Sequence, residues 1–453
     1  MSTYPPTNRF TSGTPLFLSI ICIVAVPFLI IREMFKPIDQ RKAPAGKQWR
    51  LPPGPRGIPI FGSWLQFHKA RMIQLSPFNG PLSSLSQYGE MTTLHLGPKT
   101  WVLLNSGRAI SEIIAKRGAI MSEQPFPIAS GLAEGRHVMH HLINGAALTY
   151  GEWQELESAQ LLAAYLLQPA LWHKHHFRYS NSVMHWIVLG ECLLKPTPEL
   201  DALLAVTIQF IRNTHYDVFR TWWGPVRSAV AAGTAPPSFM RDALLHPDTR
   251  YTGDDEIAMY LALSVISAES DNTQLALNTF AITALCHPAV FARARAEINA
   301  VCGDGGNPRL RFPCIADMPS LPFVSVVVKE LPRWRPLVRT IPPHDLMQDL
   351  AFDVAVCGAV EDPEAFRPER WIDGKGGEAR GRVCVGYRVA QMELFVVVAR
   401  LVAGFDFVAK GPYDSRRLRH DTMDEPFPVK VSVRSKAYEE LIVREGGWGC
   451  CSR

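Results

Sequence analysis

Cys384 stands in Arg380-Gly381-Arg382-Val383-Cys384-Val385-Gly386, with an arginine two residues before it and a glycine two residues after. No other cysteine of the nine has that setting. An apolar segment, Val389 to Phe407, follows directly and reads as a buried helix, which puts Cys384 just before a helix N-terminus. Peptide dipoles and arginines in such a place lower a thiol's pKa and favour the thiolate. A thiolate so held suits the axial position of a haem iron. The competing reading is a cysteine packed as a small hydrophobe.

Two further groups of residues have chemistry in them. Ala268-Glu269-Ser270-Asp271-Asn272-Thr273 is a polar island in an apolar stretch, Asp254 to Cys286, that reads as one helix of about 48 Å. Burying an acid, an amide and a hydroxyl together is costly unless they are paired or face a wet cavity. The island is therefore either a proton-delivery site on a ligand pocket or one exposed turn. Glu330 and Arg333, three residues apart, share a helix face and suit an internal ion pair. Arg370, in the proline-marked run Phe366 to Trp371, is placed to join it.

The elements that must carry these residues are mostly helical. Thr92 to Leu96 and Trp101 to Leu104 flank Gly97-Pro98-Lys99 as a hairpin. Ser106 caps a short helix running to Lys116. Trp153 to Trp223 is mainly helical, and Phe427 to Val433 alternates as a late strand. His173, His175 and His176 crowd around Lys174 without an acidic or cysteine partner, which reads as a solvated basic turn rather than a metal site.

Composition limits the function classes. A hydrophobic share of 47% over 453 residues argues for full cores rather than disorder. The net charge of +5 is scattered, so nothing calls for nucleic acid. Nine scattered cysteines without a Cys-x-x-Cys pair argue against a disulfide framework and a zinc site and for a reducing compartment around the main body. There is no Gly-rich dinucleotide-binding fingerprint.

The N-terminus predicts four segments: a lumenal tail over 1–14, a transmembrane signal anchor over 15–31, a basic and proline-rich hinge over 32–57, and a cytosolic catalytic domain over 58–453. Pro15 to Ile31 is uncharged and about 26 Å long as a helix, close to the endoplasmic reticulum hydrocarbon thickness of about 27 Å. Basic residues concentrate after it, from Arg32 to Arg50, which puts the rest of the chain on the cytosolic side. Leu51-Pro52-Pro53-Gly54-Pro55 is a stiff, non-helical connection.

Anchor, proline hinge, long helix with Ala268 to Thr273, Glu330 with Arg333, Pro368-Glu369-Arg370-Trp371 and Cys384 occur in the order found in the cytochrome P-450 monooxygenases. The chain resembles that family from end to end, in its microsomal form. Pro125 to Gly131, Ser270 to Thr273 and Asp362 to Trp371 resemble the filamentous-fungal enzymes of secondary metabolism, of the O-methylsterigmatocystin oxidoreductase kind. The resemblance implies a mainly α fold with a small β region and one N-terminal transmembrane helix. It implies haem ligated by Cys384, with Gly386 in the same loop and with Trp153 and Arg382 on the haem propionates. Asp271 and Thr273 would serve oxygen activation, and Glu330, Arg333 and Arg370 a structural ion-pair cluster. The expected partners are an NADPH–cytochrome reductase, the endoplasmic reticulum membrane and an apolar small-molecule substrate.

The chain also departs from the family pattern. Gly377-Glu378-Ala379-Arg380-Gly381 replaces the usual approach to the Cys loop, and the connection from Trp371 to Cys384 is short. Glu269 takes the place of a glycine, and Asn272 that of a threonine. Glu157 stands where an arginine is expected to meet a propionate, which predicts repulsion and weak haem retention. Pro332 is expected to interrupt the helix of Glu330 and Arg333. These departures keep open an impaired or haem-free relative, and a haem enzyme that rearranges peroxides.

Overall fold

The computed structural model describes residues 51–55, 57, 62–63, 88–96, 99–117, 143, 147–192, 215–245, 255–304, 306, 309–335, 365–372, 384, 386–414, 418 and 427–446. The chain forms two compact units, one of Met1–Ile114 with Asp349–Ala359, the other of Ala115–Gln348 with Val360–Arg453.

The first unit is built on an antiparallel hairpin, β1 (Met91–Leu96) and β2 (Lys99–Leu104), with Met91 opposite Leu104 and Leu96 opposite Lys99. This is the expected hairpin, one residue longer at the start of β1 and two at the start of β2. The proline segment docks on its edge. The Thr93 amide donates to the Pro53 carbonyl (3.0 Å), and the Thr93 hydroxyl to the Pro52 carbonyl (2.7 Å). Gly54 passes so close that a methyl group there would lie 1.9 Å from the Thr93 carbonyl oxygen. Ser106 caps α1 (Gly107–Ile110), its hydroxyl accepting from the Ala109 amide, and a π turn, Ser111–Ala115, continues the helix.

The second unit is helical. Its elements in order are α2 (Gly151–Leu167), α3 (Trp172–Leu189), α4 (His215–Ala231), α5 (Phe239–Leu245), α6 (Asp255–Cys286), α7 (Pro288–Cys302), α8 (Pro322–Trp334) and α9 (Tyr387–Gly404). The hairpin pair β3 (Phe405–Ala409) and β4 (Val429–Val433) follows, then α10 (Lys436–Glu445). The long helix α6 lies along α3, and α2 packs on both α3 and α9. Its apolar residues Leu261, Ile266, Leu277, Phe280 and Ile282 are buried, as are Val396, Val397 and Leu401 of α9. Burial of that kind, about 1.5–3 kcal/mol per large apolar side chain, is what holds such a bundle together.

Three expectations need correction. The apolar run after Cys384 is not helical to Phe407: α9 ends at Gly404, and Phe405 pairs with Val433 as the first residue of β3. An apolar run alone does not separate helix from strand; the cross-strand partner decides. The histidines around Lys174 do not form a solvated turn. They lie on α3, where His173, His175 and His176 are all buried. His176 is hydrogen-bonded to the Tyr165 hydroxyl and donates from Nδ1 to Asn278 (2.8 Å). Pro332 does not interrupt α8, which continues to Trp334 with Arg335 closing its last turn onto the Leu331 carbonyl (3.0 Å). Only a turn remains beyond it, so little of the helix feels the missing donor.

Among the described residues no single helix is long and apolar enough to cross a membrane. The anchor expected at Pro15 to Ile31 lies outside them.

Candidate functional site

Cys384 precedes α9, whose N-cap is Gly386. The turn is closed by Tyr387 donating to the Cys384 carbonyl (3.2 Å) and Ala390 to the Gly386 carbonyl (2.9 Å). The Cys384 side chain is exposed, and the Gly386 amide donates to its sulfur, which favours the thiolate. That pull loses. Crowding out of water pushes the thiol up, and the Glu269 carboxyl pushes it further. The expected lowering is thus reversed in this structure. Arg382 lies outside the described residues.

The opposing surface is the polar island of α6. Ala268 is exposed, Glu269 and Asn272 are half-buried, and Thr273 is buried. Asn272 turns its amide back to the Ala268 carbonyl, as amides inside helices do. The Thr273 hydroxyl donates to Glu269 Oε1 (3.0 Å). Asp271 lies on the same helix; its side chain is outside the described part. A methyl group added at Gly386 would stand 3.6 Å from Glu269 Oε2 and 4.0 Å from Cys384 Sγ. Both atoms therefore border one small gap.

A second acid faces this region. Glu393 of α9 is fully buried, and neither of its carboxyl oxygens has a hydrogen-bond partner among the described residues. Burial pushes Glu393 well up, the Glu269 charge adds to this, and the Thr273 hydroxyl opposes it. Burial likewise pushes Glu269 up. Sequence reasoning passed over Glu393, although a lone acid inside the apolar run from Val389 was the visible signal.

The remaining expected residues fall elsewhere. Trp153 of α2 is half-buried and stacks on Trp186 of α3, centroids 4.0 Å apart and planes 8° from parallel. Glu157 is fully buried between the same two helices and accepts from Arg178 Nη1 (2.9 Å), Ser182 Oγ (2.7 Å) and Trp186 Nε1 (3.2 Å). It is neutralised by Arg178, so the expected repulsion from Glu157 does not arise. Glu330 accepts from Arg333 (Nε, 2.7 Å), Arg370 (Nε, 3.1 Å), the Arg367 amide (2.8 Å) and Trp371 Nε1 (2.8 Å). Arg333 and Arg370 also donate to the Ala365 carbonyl (2.8 and 3.2 Å), which ties α8 to the short 3-10 turn Pro368–Trp371.

The family model for cytochrome P-450 matches residues 185–355. The cytochrome P-450 monooxygenase aneD of Aspergillus aculeatus is 27% identical over 483 residues, covering 87% of this chain and 90% of the relative. The monooxygenase fogE of Aspergillus ruber is 27% identical over 88% of this chain and 89% of its own. A zebrafish cytochrome P-450, solved with abiraterone, shares the fold at a TM-score of 0.62 and 20% identity, covering 82% of this chain and 100% of that one.

The chain is similar to cytochrome P-450 monooxygenases over most of its length and shares their fold.

Cytochrome P-450 proteins use a cysteine-ligated haem with electrons supplied by a reductase. The donor set here fits such a group. One exposed thiol, a glycine that keeps its flank clear, a backbone amide on the sulfur and the N-terminus of α9 together suit an axial thiolate. Glu269 is the one neighbour that works against it.

Proposed function

We propose that this chain is a cytochrome P-450 monooxygenase that inserts one atom of O2 into an apolar small molecule, as a fungal enzyme of secondary metabolism anchored in the endoplasmic reticulum. The observation that carries the proposal is the exposed Cys384 thiol at the N-cap turn of α9, opposite the polar island of α6. The motifs shared with fungal enzymes, and the fungal monooxygenases among the relatives, support the pathway class. The charge step after Ile31 supports a cytosolic catalytic domain that meets an NADPH–cytochrome reductase.

Bound haem would supply the redox-active iron. Cys384 would hold it as the thiolate, helped by the Gly386 amide, which withdraws charge from the sulfur. Thr273 has a hydroxyl positioned by Glu269, so it can pass a proton while its oxygen stays in place. Asp271 is the expected second member of that relay. Glu393 lies buried behind them, its carboxyl pushed well up by burial, which favours the protonated form.

The carbon-monoxide difference spectrum of the reduced, membrane-expressed protein tests this reading. Cys384→Ser should abolish the thiolate–carbonyl band, and Cys357→Ser should keep it. The opposite pair of results rejects Cys384 as the ligand. Protease added to sealed microsomes should digest the bulk of the chain; protection of residues beyond 60 rejects the cytosolic placement. A second reading, a family member impaired in haem loading, is favoured by the Glu269 carboxyl at the Cys384 loop.

A further inference from the structure

Glu269 leaves the long helix α6 and ends at the Cys384 loop. Its Oε2 lies 3.6 Å from where a side chain on Gly386 would begin, and Cys384 Sγ lies 4.0 Å from the same point. The carboxyl is not loose. Thr273, one turn on, donates to Oε1 (3.0 Å) and fixes the side chain in the direction of the loop. Glu393 lies behind on α9, fully buried, and as an acid it offers Glu269 no cationic partner. Among the described residues no ion pair compensates Glu269.

Two physical consequences follow. A flat macrocycle seated on Cys384 needs the space directly in front of the sulfur, and a carboxyl side chain crossing from α6 to the loop competes for that space. A carboxylate bordering a thiol also opposes the thiolate, the form that ligates iron. Bulk and charge act in the same direction.

We propose that Glu269 is an occluding residue at the Cys384 pocket, which must be displaced for haem to load and so limits haem affinity in this chain. The proposal rests on the haem-thiolate reading and adds a determinant within this sequence. It also replaces the expectation that Glu157 is the acid that weakens haem binding, since Glu157 is neutralised by Arg178 (2.9 Å). Displacement means rotating Glu269 about its own side-chain torsions and breaking one hydrogen bond, that from Thr273.

The test uses the full chain expressed without added haem. Hemin is titrated into wild type, Glu269→Ala, Glu269→Gln, Glu269→Asp and Cys384→Ser, with the Soret absorbance as readout. In parallel, the alkylation rate of Cys384 by iodoacetamide is followed by mass spectrometry in the hemin-free proteins. Glu269→Ala should bind hemin on the order of tenfold more tightly, the scale of effects from residues behind a metal ligand. Glu269→Gln and Glu269→Asp, which remove charge or length alone, should fall between. Cys384 should alkylate several-fold faster in Glu269→Ala and Glu269→Gln, a readout that needs no haem and that a merely structural role would not move. Thermal unfolding identifies any variant that fails to fold, in which case the other two decide.

Unchanged hemin affinity and unchanged alkylation in the folded Glu269 variants overturn the proposal. If Cys384→Ser loses the thiolate spectrum in the same series, the haem-thiolate reading stands without it. If Cys384→Ser binds hemin with the wild-type spectrum, that reading fails, and the inference fails with it.

Discussion

Arg178 Nη1 donates to Glu157 Oε2 across 2.9 Å between α2 and α3, with Glu157 fully buried and Arg178 nearly so. The pair is reinforced by Ser182 and Trp186, which donate to Oε1. Removing one member of a buried pair strands the other charge and costs about 3–5 kcal/mol. Arg178→Ala should therefore lose about that much stability in urea denaturation. In a Glu157→Gln background, where no charge is left to strand, the same substitution should cost clearly less. Equal losses in the two backgrounds contradict the coupling.

Glu330 should behave in the same way. It gathers Arg333, Arg370, the Arg367 amide and Trp371 at one carboxylate. Glu330→Gln leaves two guanidinium groups without their counter-charge, with an expected loss of about 3–5 kcal/mol. The neighbouring pair Arg293–Glu369 has a comparable distance, 2.8 Å, but both side chains are exposed. Arg293→Ala should cost no more than about 1 kcal/mol from that pair, because solvent screens it. Chemical denaturation of both variants compares the two; equal losses refute the burial argument.

Two sets of buried groups should make stability depend on pH with opposite signs. Burial lowers His176 to about 3 and His185 to about 4 from the usual 6.5. Between those values and 6.5 the unfolded chain takes up protons that the folded chain refuses. Their stabilisation is present above about pH 6.5 and is lost as pH falls towards 3–4. Glu393 has the opposite sign. Its folded pKa is raised above 4.5, so the folded chain keeps a proton that the unfolded chain gives up. That contribution is full below 4.5 and is lost as pH rises through the native value. Thermal melts across pH should show a shallower acid limb for His185→Phe and a smaller loss above about pH 4.5 for Glu393→Gln. Profiles superimposable on wild type contradict these assignments.

In the first unit, Gly54→Ala should detach the proline segment from β1. The added methyl would lie 1.9 Å from the Thr93 carbonyl oxygen, and backbone on both sides leaves only a shift of the chain. Overpacking of this kind costs about 1–3 kcal/mol. Limited proteolysis within residues 51–57 should accelerate in the variant. Thr93→Val, which loses only the hydroxyl bond to Pro52 (2.7 Å), should produce a smaller change. Faster cleavage in Thr93→Val than in Gly54→Ala would show that the hydroxyl, not the close approach, holds the segment.

Much of the framework was readable before any coordinates. The hairpin β1–β2, the Ser106 cap, α6 almost to the residue and the Glu330–Arg333 pair all depend on neighbours within one element. Local periodicity, capping chemistry and the three-residue helical spacing carry such information along the chain. Arg370 was legible only as a member of a proline-marked motif, because its bond to Glu330 joins residues forty apart.

What the sequence by itself determined was which segments are helical, where the thiol lies relative to a helix start, and that acids occur inside apolar runs. The tertiary structure decided which charges meet. Glu157 was read as a lone anion, yet α3 brings Arg178 to it; the histidines of α3 were read as solvated, yet α2 and α6 cover them. Phe405 left the helix because Val433 was there to pair with it. Glu269 and Glu393 came to share one neighbourhood with Cys384 because α6 and α9 pack together. The reason is physical: a side chain's charge, solvation and partner depend on the three-dimensional packing of distant elements, and helical or strand periodicity carries no record of that packing.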